Sequence, residues 1–165
     1  MIVWVATTLD HAGPAQHGTL AMQRFLEPTQ EAGRALWMRG IEGEVVMLNL
    51  LRLREVADYS AHPELAPEQP ISGAQAYDRY IAHTLPFLTA SGGALMFLGD
   101  GGPYLIGPPG ERWDRAMLVR QSSLAAFMAF ATDTAYLAGI GHRTAAVEDS
   151  RLLPLVPTRM PAAPP

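Results

Sequence analysis

Glu44-Val-Val-Met-Leu-Asn-Leu-Leu51 is a nearly continuous apolar run that opens on two β-branched residues. A run of this length, apolar at both parities, reads as a strand covered on both faces. Helical and strand patterns alternate beyond it. Ser72 and Gln75 form a capping box, and Tyr77, Tyr80, Ile81, Thr84 and Leu88 then recur on one helical face. Gly92-Gly93 ends that helix, Ala94–Leu98 and Trp113–Arg120 read as strands, and Ser122 or Ser123 caps a second helix through Ala131. Ser150–Val156 reads as the last strand, with Pro154 marking it as an edge. The order strand, helix, strand, strand, helix, strand is that of an α+β, ferredoxin-like βαββαβ fold with a four-stranded antiparallel sheet. A right-handed crossover makes the first two strands parallel, with the third antiparallel between them.

Outward from this core the pattern thins. Met1–Thr7 reads as a short strand, and Thr19–Leu26 and Pro28–Arg39 as helical pieces broken at Pro28. Residues 1–40 are therefore expected to form an N-terminal helical extension packed on a domain spanning 41–156. Residues 157–165 form a Pro-rich tail. Pro86 is expected to kink the first long helix. Thr132–Leu137 and Thr144–Val147 read as further turns of helix. Arg54–Ile71 carries Pro63, Pro67 and Pro70 without helical or strand period, and is expected to be a lid over a pocket.

The 165 residues fit one domain. A net charge of −4 argues against a nucleic-acid partner, and 48% apolar residues supply a sizeable core. With no cysteine there is no disulfide, thiolate nucleophile or cysteine zinc site. All basic residues are arginine, which removes Schiff-base chemistry and the phosphate-loop lysine. Gly99-Asp-Gly-Gly-Pro-Tyr-Leu-Ile-Gly107 fails the dinucleotide fingerprint at Tyr104. His11 and His17 are too sparse for a metal site, and no metal or cofactor is expected. Met1–Leu9 is too short for a membrane span and lacks a basic n-region, so a cytoplasmic protein without a membrane partner is the expectation.

Several motifs taken together resemble the DUF1330 family. They are Val45-Val-Met-Leu-Asn-Leu-Leu-Arg52, Ser72-Gly-x-x-Ala-Tyr-x-x-Tyr80, Gly92-Gly93, Gly99, Trp113-Asp114, Phe127, Tyr136, Arg143 and Glu148-Asp-Ser-Arg-Leu152. The resemblance covers Pro28 to about Leu155. It implies a dimeric α/β barrel, in which the sheet of one subunit packs on that of a second copy, and it implies no particular reaction. The apolar pattern points to a homodimer independently. Helices cover one face of such a sheet, while both parities of Val45–Leu51 are mostly apolar, so the other face needs cover.

Chain direction gathers the candidate site at one end of the sheet. Asn49 interrupts an apolar strand on the parity of Met47 and Leu51, and its amide needs partners: a ligand carbonyl or loop backbone. Tyr80 and His83, three apart on the first long helix, are candidates to face a cavity. There His83 would act as base, with Asn49 and Tyr80 as the other catalytic groups. Arg52, Tyr77, Trp113, Asp114 and Arg143 are expected as ligand-binding residues at the rim, with Met47, Met117 and Phe127 as apolar wall. Arg52 and Asp114 would otherwise form a structural ion pair, and Arg143 would cap helix carbonyls. Three functions are open at this point: a cofactor-independent enzyme acting on a small carbonyl or enol compound, a non-catalytic ligand-binding module, and a haem-handling protein resting on His83.

Overall fold

The computed structural model describes residues 23–158. The expected strand Met1–Thr7, the start of the Thr19–Leu26 piece and the end of the Pro-rich tail lie outside that range. The elements are α1 (Gln30–Met38), β1 (Val45–Leu53), α2 (Gly73–Ala90), β2 (Ala94–Asp100), β3 (Arg115–Gln121), α3 (Leu124–Ala131), α4 (Thr134–Leu137), α5 (Ile140–Ala146) and β4 (Val147–Leu155). The sheet order is β2-β3-β1-β4 with every neighbouring pair antiparallel, which is the ferredoxin-like topology.

Local chemistry sets the element ends. Thr29, Ser72, Ser123 and Asp133 each accept a backbone N–H at a helix start. The box at Ser72 is complete, with Gln75 Oε1 accepting from the Ser72 N–H at 2.9 Å. Gly73 lets α2 begin hard against the end of β1. A Cβ there would collide with backbone atoms of Arg54 and with Ala146 O, 2.8 Å away. α2 continues through Pro86 to Ala90 as one helix.

Val45, Met47, Leu51 and Leu53 of β1 are buried beneath the helices. The dense part of the core lies at one end, where Leu51, Tyr59, Ala76, Tyr77, Ala145, Ala146 and Val147 meet. Arg54–Ile71 helps to build that end. Ala57 N–H donates to Ile71 O, Asp58 N–H to Ala145 O, and Tyr59 Oη meets His142 Nδ1 at 2.9 Å. This corrects the expectation of a lid: the segment is docked on α5 and lines no part of the cavity between helices and sheet.

The opposite face of the sheet carries no helix among the described residues. Val46, Leu48, Leu50 and Leu118 lie there half-buried, and Phe97 and Leu153 are each 53% exposed. Between β2 and β3 the chain forms an arm, bridged at Pro103 and Arg112, with Leu105 99% and Ile106 91% exposed. Residues 23–26 are not helical, unlike the expected piece. Phe25 instead lies beside β4, where its carbonyl accepts from Ser150 N–H at 2.9 Å and its N–H donates to Asp149 Oδ1 at 2.7 Å.

Candidate functional site

α3 is Leu-Ala-Ala-Phe-Met-Ala-Phe-Ala, apolar on every side, yet only Leu124 in it is buried. A helix of that composition is ordinarily packed all round. Here a cavity of about 380 Å3 lies along its inner face, beneath α2–α5 and above the sheet. That volume falls near the lower end of ordinary small-molecule sites. β1 contributes Met47 and Asn49, β3 contributes Met117, Val119 and Gln121, and Leu152 closes the β4 side. α2 turns Tyr77, Tyr80, Ile81, Thr84 and Leu88 inward, one stripe of a 3.6-residue period. Phe127, Phe130, Tyr136, Ile140 and Arg143 add to the wall, and Leu26, Glu27 and Pro28 line it from the segment before α1.

The polar groups are few and mostly neutral. Tyr80 and Tyr136 share a hydrogen bond of 2.9 Å between their hydroxyls, and the Tyr77 and Tyr80 ring centroids are 5.2 Å apart. Burial pushes the Tyr77 and Tyr136 phenols up, the neighbouring Tyr80 adds to this, and the Arg143 charge only partly opposes it. Both therefore stay protonated and donate rather than abstract protons. The Tyr80–Tyr136 pair holds two hydroxyl hydrogens and spends one between them, so one O–H remains to donate. Asn49 Nδ2 donates to Met47 O at 3.1 Å, on its own strand, which leaves its amide oxygen for an occupant. Arg143 donates to Leu26 O at 2.9 Å and to Ser150 Oγ at 3.3 Å. Thr84 Oγ1 and Gln121 Oε1 are buried without a hydrogen-bond partner among the described residues. Unpaired buried polar atoms cost about 1–3 kcal/mol each; Thr84 stands on α2 and Gln121 in the opposite layer, on β3.

Asn49, Tyr77, Tyr80 and Arg143 thus come together with the expected wall residues Met47, Met117 and Phe127. Four other expected residues do not join them. His83 turns aside, and its Nε2 donates to Ala135 O and Tyr136 O, both at 3.0 Å. The three-residue step from Tyr80 carries it about 60° around the helix, onto the backbone of α4. It holds α4 in place instead of facing the cavity as a base or a haem ligand. Arg52 and Trp113 lie over the helix-free face, where the guanidinium groups of Arg52 and Arg151 sit 5.8 and 4.9 Å from the Trp113 ring. Asp114 does not pair with Arg52. Its Oδ2 accepts the Leu53 N–H at 2.8 Å and its Oδ1 lies 3.7 Å from Arg112. The pairing of β1 with β3 ends at Leu51 and Arg115, and the Asp114 carboxylate takes the Leu53 N–H that lies beyond it.

Sequence reasoning does not single out Gln121 or Thr84 as site residues. The available signal is parity: Gln121 shares that of Met117 and Val119 at the end of its strand, a polar residue on an otherwise apolar stripe. Arg115 is missed in the same way. It is buried, bonded to Asp78 at 2.6 Å and to Asp100 at 3.2 Å, and lies over the Tyr77 ring. It backs the Tyr77 wall of the cavity.

Fold and site together define a ferredoxin-like α+β protein with an apolar cavity between helices and sheet. The chain belongs to the same family as RPA0582, a protein of unknown function from Rhodopseudomonas palustris. One crystal structure of that protein is 35% identical, with 84% of this chain and 100% of that one covered and a TM-score of 0.69. A structure of its methylated form is 36% identical over 84% and 98% of the two chains, with a TM-score of 0.71. No family model matches the chain, and no curated protein does. Among the described residues, no single helix is long and apolar enough to cross a membrane, and no three acidic or histidine side chains converge as metal ligands.

Proposed function

We propose that this protein is a homodimeric small-molecule-binding protein, a member of the DUF1330 family, whose ligand occupies the cavity beneath α2–α5. The observation that carries this reading is the cavity of about 380 Å3 beneath an all-apolar α3 in which only Leu124 is buried. Asn49, Tyr77, Tyr80 and Arg143 are the proposed ligand contacts. Binding is favoured over proton abstraction because the phenols at the site stay protonated and the one nearby histidine is spent on backbone. A carbonyl or enol compound suits the phenol donors, and catalysis upon it would be electrophilic, by hydrogen bonding to oxygen. The second copy is proposed to cover the helix-free face, whose Leu48, Leu50, Leu118 and Leu153 otherwise meet water.

The test of the cavity is fluorescence titration with 1-anilinonaphthalene-8-sulfonate at neutral pH. The folded protein is expected to bind about one probe per subunit. Ala131→Trp, which fills the cavity from α3, is expected to abolish that binding while circular dichroism stays native. Undiminished binding to the filled variant would place the probe on another surface and end the reading.

A further inference from the structure

The arm from Gly101 to Gly110, between β2 and β3, carries no charged residue and presents Leu105 and Ile106, almost wholly exposed, at its tip. Its backbone is nonetheless held in shape. Pro103 bridges Arg112, Gly101 N–H donates to Asp114 O at 3.0 Å, and Trp113 N–H donates to Gly102 O at 3.2 Å. Tyr104 folds onto Gly107, where a Cβ would meet its side chain at 2.7 Å. A turn then closes from Glu111 N–H to Pro108 O at 3.3 Å, with Gly110 at φ +81°. Pro103, Pro108 and Pro109 restrict the chain further. The cost of ordering the arm is thus met inside the subunit, while the two side chains at its tip touch nothing there. A preorganised apolar projection of this kind is suited to docking.

We infer that two copies of this chain exchange arms, each laying Leu105 and Ile106 on the far end of the other's helix-free face, against Leu153 and Leu155. This rests on the proposed homodimer and goes beyond it, to the element that holds the copies together. The face by itself is small. Its four strands turn about half of their residues, roughly sixteen, to that side, whereas a stable interface engages about 20–30 residues on each copy. The arms supply the difference. Position follows from the register. Leu51 faces Arg115, where the arm is rooted beside Asp100, and Val46 faces Leu155. About 17 Å of strand therefore separates the root of the arm from Leu155 within one copy. A two-fold axis that reverses strand direction carries each root to the Leu155 end of the other copy. Packed sheets lie about 10 Å apart. The chain from Asp100 to Ile106 reaches up to about 20 Å, enough to cross that gap. Charge selects this axis. Arg52 makes no ion pair among the described residues, and it lies with Arg151 against Trp113 at the root end of the face. An axis that kept strand direction would stack these guanidinium groups on their own copies, at a cost. Reversal turns them toward the end that carries the Glu44–Arg120 pair. Leu153 and Leu155, 53% and 36% exposed, lie toward that same end and are covered by the apolar tip. The contact is isologous, arm to strand and strand to arm, so it closes at two copies.

The chain has no cysteine, so introduced thiols report a single contact. Ile106→Cys together with Leu155→Cys is expected to give a covalent dimer on mild oxidation of the full chain, seen in non-reducing electrophoresis and lost on reduction. Within one subunit the two positions stand too far apart to join, since a disulfide needs Cα atoms within about 7 Å. Neither substitution alone is expected to cross-link. Failure of the pair to join would overturn the inference. So would a covalent dimer from either substitution alone, which sets like positions together on the axis, or a ladder of higher oligomers, which means an open chain. Sedimentation supplies a second measurement. Leu105→Ser with Ile106→Ser is expected to raise the dimer Kd about 100-fold while circular dichroism stays native. A Kd within about twofold of the native value would overturn the arm exchange and leave the homodimer standing. A native chain that sediments at 17.8 kDa at every concentration would remove the homodimer and the arm exchange together.

Discussion

Asp149 is 1% exposed, and its Oδ1 alone accepts three hydrogen bonds: from Phe25 N–H at 2.7 Å, Ser150 N–H at 2.9 Å and Arg151 at 2.7 Å. Burial by itself would push the carboxyl up. The Phe25 N–H bond, the Arg151 hydrogen bond and charge, and the Ser150 N–H bond outweigh it and hold the group below its ordinary value. Asp149→Ala removes the acceptor and strands the Phe25 N–H beside β4, while Ser150 N–H keeps the Phe25 carbonyl. Losing charge-assisted bonds and leaving a donor unmet costs about 3 kcal/mol. For a domain of this size that is a large share of the total stability. The urea midpoint is then expected to fall by about 1–2 M, and Asp149→Asn, which keeps one acceptor oxygen, to lose about half as much. The acid limb gives an independent reading. Because the folded group titrates below the unfolded one, its stabilisation is complete above about pH 4 and is lost as pH falls through the lowered value. Both variants should lack that part of the acid slope. A midpoint within about 0.3 M of the native protein for Asp149→Ala, with an unchanged acid limb, would refute the reasoning.

Gly73→Ala should cost about 3 kcal/mol or more, or prevent folding, because its Cβ meets backbone on two sides; thermal unfolding measures it. Leu48→Arg, in the middle of the helix-free face, should shift the light-scattering mass from about twice 17.8 kDa to 17.8 kDa. Leu105→Ser together with Ile106→Ser should change the stability of the subunit by less than about 0.5 kcal/mol, since the arm's tip touches nothing within it. Of the five tyrosines, Tyr77, Tyr136 and Tyr59 should not ionise near pH 10 in an ultraviolet titration of the folded chain, since burial raises all three. The unfolded chain does ionise there, so stability should fall as pH rises past about 10.

The frame was legible because its signals are local. The Ser72–Gln75 box, the Ser123 cap, the glycine pair at 92–93 and the proline on the last strand each act within four residues, and each stands where expected. Strand parity placed Asn49 with Met47 correctly, since alternation tolerates no slip across a strand buried on one side. The errors came from longer range. Which neighbour a helical side chain meets depends on the packing of α4 against α2, and no pattern along α2 reveals that His83 finds backbone carbonyls there. Asp114 reads as half of an ion pair until the end of the β1–β3 ladder at Leu51 and Arg115 leaves the Leu53 N–H in need of an acceptor. The proline-rich loop lacks period, yet Tyr59 anchors it through a partner 83 residues away. Gln121 escapes notice as a strand-terminal residue, whose burial depends on α2 ending above it.

The two margins of the sheet are finished differently. Along β4, Phe25 takes up the Ser150 N–H, Arg39 occupies the Pro154 carbonyl at 3.1 Å, and Pro154 has no N–H to offer. A foreign strand arriving there finds few groups to zip onto. The β2 margin has no such sealing residues among those described, and Met96, Phe97 and Leu98 stand 58%, 53% and 43% exposed along it. Its guard is the break in register between Leu95 and Phe97, which twists the margin out of line with an incoming partner. Any edge-to-edge growth from this chain would therefore be one-sided. It would begin at β2, and a single charged residue in place of Met96 would starve it there while leaving the cavity and the β4 margin as they are.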